Sequence, residues 1–71
     1  MNVYVIQASG MYGGGVAIVA AMEEYRAKEL ATLVRQRGSW NVRYDKPEKV
    51  TLLPVKYSGA EMVLYNFETG E

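Results

Sequence analysis

Residues 9–21 read SGMYGGGVAIVAA, and two folds compete for them. Val16, Ile18 and Val19 are β-branched and favour an extended strand, whereas Ala17, Ala20 and Ala21 favour a helix. Periodicity alone does not separate the two in so short an apolar run. If residues 16–21 are helical, they open a helix that runs on to Arg37, which is long for so small a domain. If they are extended, they return along residues 2–8 as a hairpin, and the glycines at 10, 13, 14 and 15 suit its connection. The hairpin is the favoured reading, with residues 9–15 as its turn.

On the N-terminal side, NVYVIQA (residues 2–8) is rich in β-branched and aromatic types. Val3, Val5 and Gln7 fall on one face and Tyr4, Ile6 and Ala8 on the other, so the strand is apolar on both sides and suits a central place in a sheet. On the C-terminal side, residues 22–37 read as a helix. Ala27, Leu30, Ala31 and Val34 form one stripe, widened by Leu33. Glu23 and Glu24 at its start and Arg35 and Arg37 at its end match the helix dipole, Glu24 and Lys28 are four apart, and Gly38 is a stop. Trp40, Val42 and Tyr44 alternate with polar residues as in a half-buried strand, and residues 45–48 turn. Residues 49–55 form a strand that Pro54 places at an edge or at an irregular end. YSGA (57–60) turns the chain, residues 61–67 form the last strand, and residues 68–71 fray. The expected architecture is one α+β domain over residues 1–71: a mainly antiparallel sheet with one helix packed on one face, in the order β-β-α-β-β.

Composition narrows the function. An apolar share of 49% is that of a globular chain, yet 71 residues bury only about 60% of the unfolded surface. Without cysteine there is neither a disulfide nor a thiolate metal cage, so a second copy of the chain is a natural source of extra burial. Eight basic and eight acidic residues cancel, which argues against a general nucleic-acid binder. No stretch has the length or flanks of a membrane span or signal peptide, and the cytoplasm is the expected compartment. With no histidine and no cysteine, the commonest general base and the strongest nucleophile are missing, and the chain reads as a non-enzyme without a cofactor.

Three groups of residues are candidate sites. Gly13, Gly14 and Gly15 follow a strand as in phosphate-binding loops, but their G-x-x-G-G-G spacing is neither dinucleotide nor P-loop fingerprint, and a hairpin turn explains them more simply. Arg35, Arg37, Arg43, Lys46 and Lys49 crowd one stretch with Trp40, Tyr44 and Tyr57 interleaved, which suits either a nucleic-acid surface or solvated cations that guard an edge strand. The second is the plainer reading. Six tyrosines are more than so small a domain can bury along with Trp40 and Phe67, so some are expected to meet a partner. Met11, Tyr12, Tyr44 and Tyr57, in or beside turns, are the expected contact residues.

The opening VYVIQASGMYGGGVAIVAA, the charged helix after it, the YSG turn and the closing YNF strand together resemble small phage- and prophage-encoded proteins of the anti-defence, anti-CRISPR-like kind. The resemblance implies a protein-binding inhibitor or modulator of a host defence protein. A binder of small anionic ligands or nucleotides through the glycine loop is the alternative.

Overall fold

The computed structural model describes residues 1–10, 13–34 and 42–69. Its elements are β1 (Asn2–Ser9), β2 (Gly14–Ala21), α1 (Glu24–Val34), β3 (Lys49–Lys56) and β4 (Met62–Thr69). This is the α+β order expected, and residues 16–21 are strand. The sheet is antiparallel throughout, in the order β3-β1-β2-β4. The two strands that are apolar on both faces therefore stand in the middle, and the proline-bearing strand lies at an edge.

The hairpin pairs Asn2 with Ala21 at one end and Ser9 with Gly14 at the other. Gly14 and Gly15 thus belong to β2 and not to the turn, while the Gly10 N–H donates to the Gly13 carbonyl at 2.6 Å to close the loop. Each edge strand carries one irregularity, opposite Asn2–Tyr4 in β3 and opposite Ile18–Val19 in β4. The second shifts the alternation of β4: Val63 faces the same side as Val19, but Tyr65 and Phe67 face the side of Ile18 and Val16.

Helix α1 has eleven residues, about 16 Å of length, and packs over β2, β4 and β1 on one face of the sheet only. There Ala27 and Ala31 meet Tyr4, Ile6, Ala17 and Val19, all buried, with Leu30, Val50 and Val63 at the margin. Alanine on the helix and on β2 lets the layers approach closely. The apolar stripe is narrower than its sequence suggests, because Leu33 is 77% exposed and Val34 is exposed as well. Glu61 holds the start of the helix. Its carboxylate accepts from the Met22 N–H at 3.2 Å and from Arg26 Nε at 3.0 Å, and Arg26 also reaches Glu29.

Two further expectations are corrected. Val42 and Tyr44 are in no strand; the chain crosses the end of the core there and turns at 43–46, where the Lys46 N–H donates to the Arg43 carbonyl. An extended segment that lays alternate side chains onto a core shows the same alternation as a strand, without a ladder partner. Glu68 and Thr69 do not fray: they close β4 against Gly15 and Gly14. Trp40, residues 35–37 and residues 70–71 lie outside the described residues.

Candidate functional site

The face of the sheet turned away from α1 has no cover among the described residues. Register places Val3, Val5 and Gln7 of β1 on it beside Val16, Ile18 and Ala20 of β2. Val3 and Ala20 are buried, yet they stand apart from the cluster that packs under the helix. Val5, Val16 and Ile18 are only half-buried. From β4 come Met62, Tyr65 and Phe67, and both rings are about half exposed, at 52% and 51%. From β3 come Thr51 and, at the end of the strand, Lys49. Valine, isoleucine and two half-exposed aromatic rings make this face an apolar patch, the kind of composition that protein contact surfaces carry.

The residues singled out in the sequence fall elsewhere. Tyr44 is fully buried, which corrects its expected role as a partner contact. Its hydroxyl donates to Glu68 Oε2 at 3.1 Å, and the Asn66 amide donates to that hydroxyl, to Glu68 and to the Val16 carbonyl. Burial, together with the carboxylate of Glu68, pushes the phenol up to about 12. Tyr57 is half-buried at a corner of the sheet. Its backbone pairs with that of Met1, and its hydroxyl donates to the thioether of Met62 at 3.2 Å, so it reaches the rim of the uncovered face. Met11 and Tyr12 lie outside the described residues.

Of the glycines, Gly14 is held in the ladder opposite Ser9, and its N–H also donates to Thr69 Oγ1 at 3.3 Å. A Cβ on Gly15 would stand 2.7 Å from Glu68 Cγ and collide with the Tyr44 hydroxyl. Gly15 is therefore bare because Tyr44 lies across it. No helix starts at these glycines; α1 begins ten residues further on, at Glu24. The strand–loop–helix arrangement that holds phosphate is absent there.

The described cations do not share one surface. Arg43 lies beside the outer side of α1, where Tyr25, Thr32 and Leu33 line a shallow open groove with it. It grips Asp45 through two hydrogen bonds of 2.9 and 2.7 Å, and that grip holds the Asp45 carboxyl down at about 2. Lys49 stands on the opposite side, on the uncovered face. Lys46 is exposed in the turn between them, and Arg35 and Arg37 lie outside the described residues.

Arg26 and the Met22 N–H hold the Glu61 carboxyl below its ordinary value, so the two shifted carboxylates are weaker bases than free ones. Among the described residues no cluster of three or more potential ligands could hold a metal ion. No described helix is long and apolar enough to cross a membrane.

The exposed rings that the sequence reading did not single out are Tyr65 and Phe67. Alternation alone did not place them, because the irregularity in β4 decides which face they take. No protein-family model matches this chain, and neither a curated protein nor a solved structure matches it significantly.

Proposed function

We propose that this chain is a non-catalytic protein-binding module and that its contact surface is the uncovered apolar face of the sheet. The observation that carries this reading is the pair of half-exposed rings, Tyr65 and Phe67, flanking the half-buried Val16 and Ile18. Such a face costs solubility when left in water, and aromatic rings on it are the usual anchors of protein interfaces. The side-chain inventory adds support, since it contains neither histidine nor cysteine and its shifted carboxylates are held by arginine.

The partner class follows the resemblance to small phage-encoded proteins: a host protein, met in the host cytoplasm, that the module blocks or modulates by occupying its surface. Capture on immobilised chain from nuclease-treated host extract tests it. Wild type is expected to retain a protein that Phe67→Lys does not. Retention that vanishes with the nuclease, or survives the substitution, refutes the reading.

A further inference from the structure

We infer that the uncovered face is the interface of a homodimer, in which a second copy of this chain packs sheet against sheet. The inference rests on the reading of this face as a protein-binding surface and names a second copy of the chain as its occupant in the free protein, displaced when a host protein takes the same face.

Three features of the face point to a second copy. The first is charge. Among the described residues, register places one charged residue on the face, Lys49 at the end of an edge strand, and those between the two edges are neutral. A phosphate-rich or acidic partner finds a single lysine at the margin to pair with, whereas a two-fold interface needs a patch complementary to itself, and a largely neutral apolar plate meets that condition.

The second is area. Strands of eight residues rise about 26 Å, and four of them span about 19 Å. Each copy thus offers a plate on the order of 500 Å² before side-chain relief is added, and two plates bury at least ~1,000 Å² between them. That reaches the range of specific interfaces. Face-to-face packing of twisted sheets is also a standard solution for a sheet with one helical layer.

The third is the condition of the edges. Pro54 removes one donor from β3, and each outer strand carries an irregularity in its ladder with the inner one, features that disfavour edge-to-edge pairing and leave the face.

Sedimentation of the purified chain over about a hundredfold range of concentration, with a micromolar dissociation constant expected, decides the matter. Wild type is expected at twice the 8.0 kDa of the chain. Ile18→Lys and Phe67→Lys are each expected to leave a folded monomer by circular dichroism, with dissociation at least a hundredfold weaker. Leu33→Lys, on the outer side of α1, is expected to sediment as wild type. A wild type that stays monomeric throughout overturns the inference, as does a dimer that both face substitutions leave intact. If wild type is monomeric but still captures a host protein that Phe67→Lys loses, the binding-module reading stands without the dimer. If wild type dimerises through this face and captures nothing, the dimer stands and the host-directed reading falls.

Discussion

At the scale of single residues, Gly15 and Tyr44 form a matched pair: the missing side chain of one is the room that the other occupies. Gly15→Ala must displace the Tyr44 hydroxyl and Glu68 together, at an expected cost of about 1–3 kcal/mol. Tyr44→Phe leaves Asn66 and Glu68 bonded to each other and is expected to cost about 1–2 kcal/mol. The double variant should cost less than the sum, because the phenylalanine removes the atom that the new methyl strikes; thermal melts of the four proteins measure that coupling. The phenol also sets an alkaline limit. Its folded value of about 12 lies above the ordinary 10.0, so its stabilisation is complete below pH 10 and is lost as pH rises towards 12. The expected loss is on the order of 2 kcal/mol. Denaturant midpoints across that range should fall for wild type and stay flatter for Tyr44→Phe.

At the scale of elements, one side chain just ahead of β4 ties down the start of α1. Glu61 gathers Arg26 and the Met22 N–H, and both lower its carboxyl pKa, so the clamp is in place above the ordinary carboxylate value and is released as pH falls through the lowered one. Glu61→Gln, which accepts with one oxygen and carries no charge, is expected to speed hydrogen exchange at Met22 and to remove the acid dependence of that exchange. A rate that is unchanged at neutral pH contradicts the clamp. Much of this level was legible in the sequence. β1 announced itself through β-branched and aromatic residues on both faces, and α1 through its charges and its alanines, whereas for residues 16–21 the glycines before them and the helix length, not their periodicity, favoured the strand. The irregularity in β4 was not legible, because a bulge adds a residue to the backbone without a composition of its own. Since that shift turns Tyr65 and Phe67 outward beside Val16 and Ile18, the candidate site was hidden with it. Tyr44 was misplaced for a related reason: proximity to a turn in sequence says nothing about which way the side chain leans. The buried network over Gly15 needs residues 15, 44, 66 and 68 brought together, and no local pattern joins them.

At the scale of the whole molecule, stability rests on one thin layer. The core under α1 is built largely of alanine and valine, with Ile6 among its largest fully buried side chains. Ile6→Ala is expected to cost about 2–5 kcal/mol, a large part of what a domain of this size possesses, and to lower the melting temperature by about 10 °C or more. Phe67→Lys should behave oppositely. Its ring contributes little to the monomer, so the substitution should leave dilute protein nearly as stable while abolishing any rise of melting temperature with concentration.

The strand order has a consequence for how the molecule is made. The two middle strands lie within the first 21 residues, and their outer neighbours arrive only with residues 49–56 and 62–69. A ribosome therefore releases a ribbon that is greasy on both sides and unpaired along both margins, with only α1 close behind to shield one side. Ending the chain before β4 would leave that ribbon permanently half-clad, and such a product should be found in inclusion bodies or cleared by proteases.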